Sequence, residues 1–408
     1  MVHSNHAAAV RPRVLALLPD AKYIGGCTFV RITGPLAYLK AAGYPIDWIP
    51  MLTAKNLAKT KELRLTEYDL FVVPRVGDRG DGKVVQLFET LRAVGKAVIW
   101  ETDDDYTNEH RVVLEGDASS VMSVATALTV STPHLREQCR KHTDKPIYLL
   151  QNCIDFQFWD MVPKKRILQD TLTVGLVGTT THYDDWILAR DALYRIAADY
   201  PDVHFVLGGY CPDYLEDLPR TLTLPPTPYQ NYPNMVHQID IGLCPLDPDD
   251  EFNKSKSAIK AMEYWAAGAA VVASDCSVYR RTVDEDRGFF ATTTEEWYTA
   301  IANLIEDPEL RTQTAAAGRT WVEKNRNMRI NSAFWWDVYA LVHREYGGKI
   351  DVSLIDRRSV GLRPPDGKGR SGDHVLPLPG PARRRRSRHD NRTNAPGSRR
   401  RPASGRSA

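Results

Sequence analysis

The sequence has no pair of cysteines at motif spacing. Its six cysteines, at 27, 139, 153, 211, 244 and 276, are scattered over 408 residues. That excludes a CxxC zinc or redox centre and a dense disulfide framework, and it predicts free, mostly buried thiols in a reducing compartment, the cytoplasm. No run of about 18 apolar residues occurs, so no membrane-spanning helix is expected. The opening MVHSNHAAAVRPR lacks the apolar core of a secretory leader. There is no GxSxG elbow, no GxxxxGK[ST] loop, no HExxH pair and no protein-kinase set, and LGGYCPD at 207–213 is not a GxGxxG turn. Serine hydrolase, P-loop, zincin, kinase and dinucleotide oxidoreductase chemistry are therefore unsupported.

Charge of one sign is scarce only on average. The formal net charge is +2, yet residues 357–408 carry 15 Lys+Arg against 3 Asp+Glu, which leaves the rest of the chain at −10. An acidic body is poorly suited to holding nucleic acid by its phosphates. The tail from about 350 is rich in Arg, Pro, Gly and Ser, with RRRR at 383–386. Such a composition buries too little apolar surface to offset chain entropy, so residues 350–408 are expected to be disordered. The basic run is either a solvated tail or an arm for an anionic partner.

What is present is a repeated alternation of short apolar runs and amphipathic stretches. RVLALLP, YPIDWI, YDLFVVPR, KAVIWETDDD, ALTVSTP and PIYLLQNCID read as strands, with TGPLAYLKAAG and VVQLFETLRAVG as helices among them. After FWDMVPKKRILQD at 158–170 the pattern restarts with TLTVGLVG, VHFVLGG, IDIGLCPL and AAVVAS. Strands alternating with helices indicate parallel sheets covered on both faces. The expected organisation is a flexible 1–12, a first doubly wound domain over 13–157, a linker over 158–170 and a second over 171–330. A helix over 331–349 follows. Ligands in such sheets sit beyond the carboxyl ends of the strands, so two facing sheets would frame a cleft.

Four stretches could carry chemistry. FNKSKSAIKAMEYWAAGAAVVAS at 252–274 places Lys254 and Lys256 at a helix start and Lys260 and Glu263 within it. A helix N-terminus favours an anion, and lysines there suit a phosphate; a solvated face with an i, i+3 Lys–Glu pair explains the same residues. GLVGTTTHYDDW at 175–186 ends a strand at Gly178 and brings Thr180 and His182 to a turn that can cradle a pyrophosphate, or cap a helix through Thr181 or Asp184. DAKYIGGCTFVR at 20–31 supplies Gly25, Gly26 and the cation Arg31. VIWETDDDY at 98–106 sets Asp103, Asp104 and Asp105 after a strand. There they can accept a proton, hold a divalent metal as D-x-D, or simply cap a helix.

Taken in order over about 13–345, these landmarks resemble a GT-B glycosyltransferase, and most closely the family-4-like retaining enzymes. The series runs from the Gly pair and Arg31 through Arg75 after DLFVVP, ETDDD, LTVSTPHLRE, QNCIDFQFW, VGLVGTTTHYDD and IDIGLCPL to NKSKSAIKAMEYWAAGAAVVAS. Members with a strand-ending DDD and a G-x-T-H turn include many from bacterial surface-polysaccharide and bacteriophage gene sets. The resemblance implies a nucleotide-sugar donor, such as a UDP- or GDP-sugar, in the second domain, and an acceptor in the first. It implies transfer with retention and no required metal or other cofactor. It implies donor contacts from Gly178, Thr180, His182, Lys254, Lys256, Lys260 and Glu263, the last to the ribose. Asp103 and Asp104 would be catalytic, with Gly25, Gly26, Arg31 and Arg75 on the acceptor or phosphate loop. The family's usual first glutamate, eight positions before Glu263, is Ser255 here, and no R-x4-K follows Gly178. An epimerase or hydrolase on the same fold, or a non-catalytic nucleotide-sugar-binding protein, is the alternative. The acceptor is a polysaccharide, a protein or a modified nucleic acid.

Overall fold

The computed structural model describes residues 11–19, 25–59, 63–108 and 116–349. The expectations for residues 1–10 and 350–408 lie outside the described residues.

The first lobe is built on β1 (Val14–Leu18), β2 (Ile46–Pro50), β3 (Leu70–Pro74), β4 (Ala97–Thr102), β5 (Ala127–Val130) and β6 (Ile147–Leu149). All pair in parallel in the order β2-β1-β3-β4-β5-β6. The central strands are buried at every position, which is why VLALL, LFVVP and AVIWET read as continuous rather than alternating runs. The second lobe repeats the scheme with β7 (Thr173–Val177), β8 (His204–Gly208), β9 (Thr221–Leu224), β10 (Ile241–Cys244), β11 (Ala270–Ser274) and β12 (Phe289–Ala291). Their order is β12-β11-β10-β7-β8-β9, again parallel. Strands β9 and β12 were not legible in sequence; TLTL and FFA are short edge strands.

Each sheet reverses its winding at one place, between β1 and β3 in the first and between β7 and β10 in the second. The loops after those strands hold Gly25, Gly26 and Arg75 on one side and the 178–182 turn on the other. A crevice beyond the strand ends at the reversal is where doubly wound sheets accept ligands. The two crevices contribute to one cavity.

The last helix, Met328–Tyr346, packs on helix Gly34–Ala41 of the first lobe. A Cβ on Gly34 would lie 2.6 Å from Met328 Sδ and 2.9 Å from the Phe29 carbonyl, so the glycine lets the two helices approach closely. Trp335, fully buried, donates from Nε1 to the Arg31 carbonyl at 3.0 Å. The WWDVY helix therefore returns from the second lobe to the first.

The stretch FNKSKSAIKAMEYWAA is not one helix. A short turn of helix, Glu251–Lys254, ends before Ser255, and the main helix is Ile259–Ala267. Lys256 thus stands in the connecting loop, not at the start of the helix that carries Lys260 and Glu263. The turn TTTH is a 3-10 turn, Thr180–His182, leading into helix Tyr183–Asp199, and no side chain caps that helix.

Candidate active site

A cavity of about 790 Å³ lies between the carboxyl ends of the two sheets. Eleven of the thirteen residues singled out in sequence line it: Gly25, Gly26, Arg75, Asp103 and Asp104 from the first lobe, and Gly178, Thr180, His182, Lys256, Lys260 and Glu263 from the second. Their convergence follows from topology: most belong to loops that follow a strand, while Lys260 and Glu263 stand on helix Ile259–Ala267, which leads into β11.

Arg31 and Lys254 do not line it. Arg31 lies in the interior of the first lobe, 1% exposed. Its Nε donates to Glu101 at 2.7 Å and its Nη1 to Asn152 Oδ1 at 2.8 Å and to the Leu150 carbonyl. The π-helical turn Phe29–Thr33 is buried from Val30 onward, so the guanidinium faces the end of β4 and not solvent. Lys254 pairs with Glu251 at 2.6 Å on its own short helix.

On the second-lobe side, Gly178 is required by close packing. A Cβ there would sit 3.0 Å from both His182 Cδ2 and Trp186 Cζ2, and Gly209, at φ +82°, approaches the Gly178 carbonyl from β8. His182 Nδ1 lies 2.8 Å from Asp185 Oδ2. Burial pushes the imidazole down to about 4, with Lys256 adding to the effect and the Asp185 hydrogen bond opposing it. The ring is therefore neutral at pH 7, with its proton on Nδ1 toward the carboxylate. Asp185 was not foreseen as a site residue, but it organises this wall. It accepts from Asn253 Nδ2 at 2.6 Å and from the Asp247 amide at 3.0 Å, and Lys256 Nζ lies 3.6 Å from it. Its spacing of three from His182 on a helix start was the available signal.

Glu263 is 4% exposed. Lys260 Nζ at 3.0 Å and the Tyr232 hydroxyl at 2.8 Å both donate to its Oε2. Among the described residues no donor reaches Oε1, so one carboxylate oxygen is left to accept from a ligand hydroxyl. Tyr229 and Tyr232 stack at 5.4 Å, and Tyr229 also meets Phe29 of the first lobe at 4.6 Å. Both tyrosines line the cavity and neither was foreseen; they lie in PPTPYQNYP, which has no helical or strand period.

Ser255 is fully buried and does not line the cavity. Its carbonyl accepts from Thr132 Oγ1 of the first lobe at 2.8 Å. Two residues on, Ser257 Oγ accepts from Asn152 Nδ2 at 2.8 Å. The lysine loop is thereby tied across the lobe junction.

On the first-lobe side, Arg75 opens the loop after β3 at φ +48°, a region a non-glycine residue seldom adopts. Cys27, Asp103, Tyr106 and Asp104 surround its guanidinium and raise its pKa against the opposing effect of burial. Cys27 Sγ and carboxylate oxygens of Asp103 and Asp104 lie within 4.8 Å of one another. The nearby guanidinium already supplies positive charge to this group. Asp105 takes no part: its carboxylate accepts from the Thr107 amide and hydroxyl, so D-x-D is not a presented pair.

Comparison with known proteins bears on the fold. Residues 171–307 match the family model described as glycosyl transferases group 1. No curated protein matches the chain in sequence. Among solved structures, sucrose-phosphate synthase from Thermosynechococcus elongatus superposes with a TM-score of 0.57 at 14% identity, covering 82% of this chain and 100% of that one. Anabaena HepE, in complex with UDP and glucose, gives 0.58 at 13% identity over 80% of this chain and 99% of that one. A glycosyltransferase from Rickettsia africae gives 0.57 at 12% identity over 81% and 98%. At these identities the likeness is one of fold. The fold is GT-B, and within the second lobe residues 171–307 match the group 1 glycosyl transferase model.

Proposed function

We propose that the cavity takes a nucleotide-sugar donor and that the enzyme passes its sugar to an acceptor hydroxyl with retention and without a required metal. The observation that carries this reading is the meeting of Lys256, Lys260, Glu263 and the 178–182 turn in one cavity with Asp103 and Asp104 opposite. The lysines, His182 and the turn around Thr180 receive the diphosphate, and Glu263 Oε1 receives a ribose hydroxyl. HepE, of the same fold, is seen with UDP and glucose, which favours a UDP-sugar as the first donor to test. Residues 171–330 are the donor domain in this reading and 13–157 the acceptor domain, with 158–170 linking them.

In the transfer, the bond from the anomeric carbon to the phosphate oxygen breaks and a bond to the acceptor oxygen forms on the same face. The acceptor proton passes to Asp103, Asp104 or a phosphate oxygen. Fixed cations stabilise the charge that develops on the leaving diphosphate, so they do the work a divalent metal would otherwise do. Lobe closure excludes water and limits hydrolysis. With Ser255 buried, no carboxylate stands at the family's first glutamate position, so sugar recognition falls to other groups of the cavity.

The test is a thermal-shift and calorimetric panel of UDP-, GDP- and ADP-sugars against the wild type and Glu263→Ala. A cognate donor raises stability by about 2.7 kcal/mol at a hundredfold excess over its dissociation constant. Glu263→Ala should weaken that donor at least tenfold while remaining folded. Unchanged affinity in a folded variant removes Glu263 from the donor site. Release of free nucleotide without any acceptor would favour the hydrolase or epimerase alternative, and binding without turnover the non-catalytic one.

A further inference from the structure

A second, smaller cavity of about 60 Å³ sits at the lobe junction and shares only Asn152, Lys256 and Ser257 with the donor cavity. Its volume is about twice the share of one water in the liquid, too small for a sugar or a nucleotide. It gathers three cations, Lys256, Arg281 and Arg326, and no Asp or Glu lines it.

Lys256 also faces Asp185 at 3.6 Å, whereas the two arginines lack the carboxylate partner that several other arginines have. Arg166 pairs with Asp240, Arg319 with Asp160, and the buried Arg31 with Glu101. Arg326, half-buried, has no carboxylate partner among the described residues. Its Nη1 donates to the adjacent Asn325 carbonyl, and its guanidinium lies 5.5 Å from the Trp321 ring. Burial lowers its pKa, and the Cys153 thiol opposes that only in part. Arg281 likewise makes no ion pair among the described residues. A half-buried guanidinium without an anion pays desolvation with no Coulombic return, and a planar fork of donors matches an oxyanion. Ser257 completes the set: its Oγ accepts from Asn152, so its own O–H remains to donate. Thr282 also lines the pocket.

We propose that this pocket binds a single small oxyanion, a phosphate group, held by Arg281 and Arg326 at the junction of the lobes. It is separate from the donor diphosphate, which occupies the larger cavity. The phosphate is either free or carried on a phosphorylated acceptor, and both sources present the same oxygens to the same cations.

Calorimetric titration of inorganic phosphate into the full chain, alone and with excess UDP, tests this. One phosphate per chain is expected, retained in the presence of UDP, and weakened at least tenfold in Arg281→Gln/Arg326→Gln. An Arg326→Lys variant should fall between the two. Wild-type chain that binds no phosphate, a double variant that binds it equally well, or complete displacement of phosphate by UDP would each overturn the assignment. If the double variant unfolds, the exposed Arg281→Gln alone decides, with a loss expected there too. Titration with glucose 6-phosphate separates the sources: tighter binding than inorganic phosphate assigns the pocket to a phosphorylated acceptor, equal binding to a free anion.

Discussion

His182 offers a quantitative test of the donor wall. Its pKa is pushed from the ordinary 6.5 to about 4 by burial and by Lys256, a displacement equivalent to roughly 3 kcal/mol in favour of the neutral ring. In the unfolded chain the same imidazole protonates near 6.5, so the folded protein binds fewer protons between pH 4 and 6.5. The stability associated with the neutral ring is complete above pH 6.5 and is lost as pH falls toward 4, at up to about 1.4 kcal/mol per pH unit. His237, 5% exposed and likewise pushed down to about 4 by burial and Lys164, adds a second term of the same sign. Asp185, Lys256 and Lys260 are the charged groups that act on His182. The assay is the pH titration of histidine Cε1–H resonances, with His182 assigned as the signal lost in His182→Gln. Its midpoint is expected below pH 5 in the free protein. Saturating UDP-glucose should raise it, because a diphosphate beside the ring favours the charged form. A free-protein midpoint between 6 and 7 would refute the reasoning, since it would mean that the ring is solvated rather than enclosed by Gly178, Trp186 and Asp185.

Other perturbations separate residues that the sequence treats alike. Lys256→Ala should weaken the nucleotide-sugar at least tenfold, whereas Lys254→Ala should leave it within twofold; equal losses in calorimetry would contradict the placement of Lys254 outside the cavity. Arg31→Ala leaves Glu101 buried without its cation and should lower stability by about 3–5 kcal/mol, read as a fall in the thermal midpoint; an unchanged midpoint would contradict the buried pair. Gly209→Ala combines a positive φ with a Cβ placed 2.4 Å from the Gly178 carbonyl, so it should cost more than about 1 kcal/mol and displace the donor turn. Wild-type stability together with wild-type donor affinity would count against that packing.

Much of the fold could be read from local pattern. VLALL, LFVVP, AVIWET, TVGLV and AVVAS announce buried parallel strands because both faces of each are covered, and the restart after residue 170 announces a second sheet. The short edge strands TLTL and FFA escaped because three or four residues with one partner carry no period. The same limit explains Tyr229 and Tyr232, which reach the cavity from a proline-rich loop. Arg31 and Arg75 show why residue type alone is insufficient. Both were expected on the acceptor or phosphate loop, yet one is spent on Glu101, 70 positions away, and the other faces Asp103 and Asp104 at the cavity.

Sequence by itself therefore determined the two parallel sheets, their order along the chain and the loops past their strands where a ligand would sit. Those features depend on side-chain period and turn residues, which act within a few positions. Tertiary structure alone decided which charged groups are free to meet a ligand. It buried Ser255 under Thr132, broke the lysine helix so that Lys256 and Lys260 reach the cavity from a loop and a helix, joined His182 to Asp185, and left Arg326 without a carboxylate partner among the described residues. A charge in a folded protein is defined by its partner and its solvation, and both are set by chain segments far apart in sequence.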